Sequence, residues 1–130
     1  MPIEYDWHGH IKSASATNSA EAKVVIAELR FKRREWVAHK KGVNMELTQF
    51  RASLRSKLLA VRPPWWAGSS TKLGRQMVRE EKAKLKVYAD GVVQQLQERK
   101  YKIELCIATV DTMILDLQEH MVKEEAKTHK

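Results

Sequence analysis

One cysteine, three prolines and five glycines in 130 residues leave this chain little with which to staple or punctuate a fold. The lone Cys106 cannot close an internal disulfide and falls on an apolar stripe, so a reducing cytoplasm is the expected setting. Aromatic residues make up 7% of the chain against 31% charged, a balance that favours helices over a β-sandwich. No apolar run approaches the roughly 18 residues of a membrane span, and no signal-peptide hydrophobic region is visible. Catalytic signatures are missing too. There is no Ser/His/Asp order, no carboxylate pair in a plausible pocket, no dinucleotide fingerprint and no completed Cys/His metal spacing. Gly68-Ser69-Ser70-Thr71-Lys72-Leu73-Gly74 has the glycines of a phosphate loop, but not its G-x-x-x-x-G-K-[ST] order or a preceding strand. It reads as a turn in which Ser70 or Thr71 caps the next helix. These absences point to a non-catalytic chain with no cofactor and no membrane partner.

What is present is positive charge, unevenly placed. Residues 1–75 carry 14 Lys and Arg against 6 Asp and Glu, whereas residues 76–130 carry 10 against 10. The whole net charge of +8 therefore belongs to the leading part. Between Ile103 and Met121 there are four acids and no Lys or Arg. Such asymmetry suggests a front that binds a polyanion and a rear that associates.

The front, Asn18 to Arg75, reads as two basic amphipathic helices. Ala22, Val25, Ile26, Leu29, Trp36 and Val37 share one face of a helix over Ala20–Lys41, opened by a capping-box-like Asn18 and Glu21 and closed by Gly42. Lys23, Arg30, Arg34 and Lys41 line one flank of that face, with Glu21, Glu28 and Glu35 on the far side. Arg33 and Lys40 fall inside the apolar stripe, where they must snorkel or pair with a partner helix. After a tight turn at Gly42-Val43-Asn44, a second helix over Met45–Arg62 carries Leu47, Phe50, Leu54, Leu58 and Val61 on its apolar face. Arg51, Arg55 and Arg62 form its basic line, with Lys57 nearby. Pro63 and Pro64 forbid continuation, so an antiparallel pair results.

The flanks are plainer. Residues 1–17 show no helical period and read as a flexible arm; Asp6, His8 and His10 have the alternation of metal ligands but no further ligand cluster completes a site. Tyr5 and Trp7 are placed to pin the arm onto a neighbour. The tandem Trp65-Trp66 suits packing at a core or subunit interface, or stacking on bases. From Lys72 to Glu125 one seam runs through Val78, Leu85, Ala89, Val92, Leu96, Ile103, Cys106, Val110, Met113 and Leu117 in three- and four-residue steps. The expected tail, residues 76–130, is a long coiled-coil-like helix or second hairpin, with the helix favoured to continue past Gly91. A seam of this length implies self-association, with Trp36, Trp65, Trp66, Leu85, Val92, Leu96, Ile103, Val110, Met113 and Leu117 as the contact residues. The fold class is all-α and oligomeric.

The series Ala20-Glu21-Ala22, Ala27-Glu28-Leu29, Gly42-Val43 and then Phe50-Arg51-Ala52-Ser53-Leu54-Arg55-Ser56-Lys57-Leu58-Leu59-Ala60-Val61-Arg62-Pro63 resembles the small subunit of tailed-phage terminases. The likeness spans residues 20–97, taking Arg75–Leu96 as the helix that follows the pair. It implies an all-helical, ring-forming, non-catalytic protein of the host cytoplasm. Such a protein binds viral duplex DNA and delivers it to a large subunit bearing the ATPase and nuclease. The chain departs from the family in one respect: residues 1–17 are too short for the N-terminal helix-turn-helix many members carry. Either the chain is a compact member of that family or DNA contact has moved to the basic helices. Arg30, Arg34, Lys41, Arg51, Arg55 and Arg62 are the expected phosphate contacts, with Lys57, Lys72 and Arg75 as helpers. Two other readings stand beside it. One is a helical scaffold binding an acidic protein partner, including the acidic stretch of a neighbouring subunit. The other is a small RNA-binding protein.

Overall fold

The computed structural model describes residues 3–5 and 10–128. The fold is all-α with a small two-stranded sheet, in the order β1 (Ile3–Tyr5), β2 (Ile11–Ala14), α1 (Ser19–Ala60) and α2 (Lys72–Thr128). The Asp6 and His8 of the alternating motif, and Trp7, lie outside the described residues.

α1 begins as expected: the Glu21 N–H donates to Asn18 Oδ1 at 2.8 Å, and Thr17 donates its hydroxyl to Glu21 Oε2 at 2.7 Å. It does not break at Gly42-Val43-Asn44. The expected pair of helices is one helix, Ser19–Ala60. The reason is that the inward positions keep their three- and four-residue steps through that point, from Leu29, Arg33, Trp36 and Lys40 to Val43 and Leu47, and Val43 and Leu47 are buried. Gly42 faces solvent, with nothing within 4 Å of where a Cβ would stand, and Gly91 in α2 is equally open. A helical glycine costs only about 1 kcal/mol relative to alanine, too little to overcome a continuous buried seam. Gly42→Ala and Gly91→Ala should therefore each stabilise the chain by about 1 kcal/mol in urea denaturation. A loss of stability from either would show that a turn had been needed there.

α1 ends ahead of Pro63-Pro64. Arg62 turns back to donate to the Leu59 and Val61 carbonyls at 2.7 and 3.0 Å, satisfying acceptors the helix end leaves open. The link then turns through Pro64 and Ala67, joined by a 3.0 Å backbone bond. Gly68 adopts a φ of 72°, open to glycine at little cost. Thr71 is the N-cap of α2: its Oγ1 accepts the Gly74 N–H at 3.0 Å and donates to the Ala67 and Gly68 carbonyls.

The chain divides into two compact units that do not follow the sequence divisions at residues 17 and 75. The first is Met1–Lys41 with Tyr101–Lys130. Its core is Ile3, Val25, Ile26, Leu29, Val110, Ile114 and Leu117, with Ile11, Ala14, Ala16, Met113 and Met121 packed against it. Arg33 meets Asp111 at 2.7 Å and Lys40 meets Glu104 at 3.2 Å, so the helix segments run antiparallel here. Both cations of the apolar stripe are thus paired with a partner helix of the same chain. Residues 3–5 and 11–14 are not a flexible arm: β1 and β2 pair antiparallel, Ile3 opposite Ala14, Glu4 opposite Ser13 and Tyr5 opposite Ile11. Burial of Ile3 anchors the ribbon to the core. Tyr5 lies over α1 of its own chain, its hydroxyl 3.4 Å from Glu28 Oε1 and its ring 5.8 Å from Lys32 Nζ. Loss of hydration, then the Glu28 carboxylate, raise the Tyr5 phenol above its usual pKa, with Lys32 opposing.

The second unit is Gly42–Lys100. Its buried apolar residues are Val43, Leu47, Ala67, Ala89 and Leu96, and Arg99 meets Glu46 at 3.4 Å.

Candidate nucleic-acid interface

Position on a helix decides which cations are free. At 3.6 residues per turn, those falling on the inward face must find carboxylates, and Arg33 and Lys40 do so. Those off that face stay in water. Arg30, Arg34, Lys41, Arg51, Arg55, Lys57, Arg62, Lys72 and Arg75 are all exposed, and among the described residues none of them forms an ion pair. Every positive side chain expected to meet phosphate is thus on the surface and uncompensated.

In the first unit Arg30, Arg34 and Lys41 lie within about 40° of one another around the helix axis. Arg30 and Arg34 line an open groove of about 640 Å³ with Ala27, Arg33, Asp111 and Ile114. Asp111 compensates Arg33, which leaves the two outer arginines as surplus charge at the groove.

In the second unit Arg51 and Arg55 stand one turn apart. Lys57 does not extend their line, since it lies about 160° round the helix from Arg55. It borders instead an open groove of about 590 Å³ shared with Arg62, Met77, Glu81 and Leu85. Lys72 and Arg75 occupy the first turn of α2, which carries no acid, so their charge adds to the positive end of the helix dipole.

The association residues are placed differently. Leu96, Ile103, Val110 and Leu117 are buried, and Leu85, Val92 and Met113 partly so, within the chain itself. At Leu96, Ile103, Val110 and Leu117 the seam expected to join copies is thus covered by the chain itself. Trp36 is partly buried against His10, whose ring meets it edge-on at a centroid distance of 5.4 Å, and it lines a cavity of about 240 Å³ with Ile11, Leu105 and Val110. Trp65 and Trp66 are not core residues: they are 94% and 59% exposed. An exposed pair of this kind is fitted to stack on bases or to dock on another molecule.

Among the described residues no three His, Cys, Asp or Glu side chains are grouped to hold a metal ion, and no helix is long and apolar enough to cross a membrane. Comparison with protein-family models, with curated proteins and with solved structures finds no match for this chain.

Proposed function

We propose that this chain is a non-catalytic DNA-binding protein of a viral genome-packaging machine, similar to a terminase small subunit. In this reading a homo-oligomer, including a closed ring, holds duplex DNA through phosphate contacts and presents it to an ATPase/nuclease large subunit. The observation that supports the reading is the sorting of charge. Arg33 and Lys40, on the inward face of α1, are paired with carboxylates, while Arg30, Arg34, Lys41, Arg51, Arg55, Lys57, Arg62, Lys72 and Arg75 are exposed and form no ion pair among the described residues. For the scaffold reading, one candidate partner, the acidic stretch of a neighbouring subunit, is partly taken up. Two of the four acids between Ile103 and Met121, Glu104 and Asp111, are occupied by Lys40 and Arg33 of the same chain.

The test is filter binding on random duplex DNA across a salt series. Binding should tolerate sequence and fall steeply with salt, because phosphate contacts release condensed counterions. Arg51→Gln with Arg55→Gln should reduce the salt slope by about two and weaken binding about ten- to a hundredfold. Helix content should not change, since both side chains are exposed and unpaired. Affinity flat with salt would sink the mechanism, and stronger competition by duplex RNA than by DNA would move the proposal to RNA.

A further inference from the structure

The link between α1 and α2 holds its two largest side chains in water. The Ala67 N–H donates to the Pro64 carbonyl at 3.0 Å, which puts Trp65 and Trp66 at the two central positions of a tight turn. They are 94% and 59% exposed, and among the described residues neither ring meets another ring or a cation. The turn itself is fixed. Pro63 and Pro64 lock their own φ, Ala67 is buried, and the Thr71 hydroxyl donates to the Ala67 and Gly68 carbonyls. A ligand that lies on these rings therefore meets a backbone already in order.

Charge narrows what that ligand is. From Leu47 to Arg79 the chain has seven Lys and Arg and no Asp or Glu. Lys57, Arg62, Lys72 and Arg75, all within nine residues of the Trp pair, are exposed and form no ion pair among the described residues. The next acids, Glu80 and Glu81, come two turns into α2. A second copy of this turn would bring like charges together, whereas a polyanion is drawn in. An anionic bilayer answers the charge, but an inserting turn would carry the exposed, polar Ser69, Ser70 and Thr71 out of water with the rings. Duplex DNA keeps its bases stacked on one another and offers phosphates alone. An unpaired strand offers phosphates and bare base faces together, and every base has such a face.

We infer that the Pro64–Ala67 turn and the cations beside it form a site for unpaired DNA, whose bases stack on Trp65 and Trp66. The inference rests on the DNA-binding reading for the role of its cations, and adds a second form of DNA and the residues that select it.

Fluorescence anisotropy of the full chain with labelled oligothymidylate tests it, beside a hairpin duplex and an abasic strand with the same number of phosphates. The parent should bind oligothymidylate at least about thirtyfold more tightly than the abasic strand. Trp65→Ala with Trp66→Ala should remove that preference and leave duplex binding and helix content unchanged. Trp65→Phe with Trp66→Phe should keep most of it, because the smaller ring still stacks. A parent that binds the abasic strand as tightly as oligothymidylate would overturn the inference while phosphate binding stood, and that comparison needs no variant. A folded double alanine variant that keeps the preference would overturn it too, as would Trp-dependent capture by phosphatidylglycerol vesicles without binding to oligothymidylate. Loss of duplex binding alone would sink the packaging proposal and leave this site standing.

Discussion

Leu29→Ala should lower the free energy of unfolding by about 3 kcal/mol. Leu29 is 0% exposed and lies in the cluster with Ile3, Val25, Ile26, Val110, Ile114 and Leu117. Truncation removes three carbons from a site lined from several elements at once. The helices are braced by Arg33–Asp111 and Lys40–Glu104 and cannot collapse freely into the gap. Because a domain of this size is stable by only about 5–15 kcal/mol, a loss of 3 is a large fraction. Leu59→Ala is the matched control: Leu59 is 70% exposed, and its loss should stay within about 0.5 kcal/mol. Urea denaturation followed by circular dichroism reads both. Equal effects would mean that the cluster around Leu29 is not the core.

The second large effect is Gly74→Ala, opposite in sign to the same change at Gly42. A Cβ at Gly74 would stand 1.9 Å from the Gly68 carbonyl oxygen and 3.1 Å from Thr71 Oγ1. The first is a backbone atom, so a rotamer change cannot relieve the clash. Either the Pro64–Thr71 turn or the first turn of α2 must move, and the cap at Thr71 goes with it. The expected cost is about 3 kcal/mol, the upper end for overpacking with a lost cap added. Hydrogen exchange should show the Gly74 and Arg75 amides, bonded to Thr71 Oγ1 and Thr71 O, losing protection first. If Gly74→Ala is neutral, the tight approach of the link to α2 is not a constraint.

The ends of the long helices were legible in residues whose effect is local. Asn18 and Thr71 cap as their side-chain chemistry allows, and Pro63-Pro64 stops α1 because proline has no N–H to offer. Arg33 and Lys40 were legible as paired cations for a similar reason, since charges on an apolar stripe need partners. Gly42 misled because a glycine beside Asn44 is a strong local stop signal, while what overrode it, burial of Val43 and Leu47, is tertiary. β1 and β2 were missed because strands of three and four residues are too short to show a period; they persist through Ile3, whose burial no neighbour in sequence announces. On α2 the three- and four-residue steps were legible as a seam, but periodicity alone does not say what covers it, and Leu96, Ile103, Val110 and Leu117 are buried within the chain. Of the candidate interface, exposure of the basic residues followed from helix phase. Separation of Lys57 from Arg51 and Arg55 also follows from phase, and counting basic residues without their angles hid it.

The partners of α1 in its first unit come from far downstream in the sequence. Arg33 waits for Asp111, 78 residues on, and Leu29 for Val110 and Leu117. At roughly 5–20 residues per second, nascent α1 leaves the ribosome many seconds before its apolar face has anything to lie against. During that interval Val25, Ile26 and Leu29 are bare, and the fused 42-residue length of the helix keeps them in a single display. An uninterrupted α1 thus emerges with its apolar face uncovered until residues 110–117 have been made.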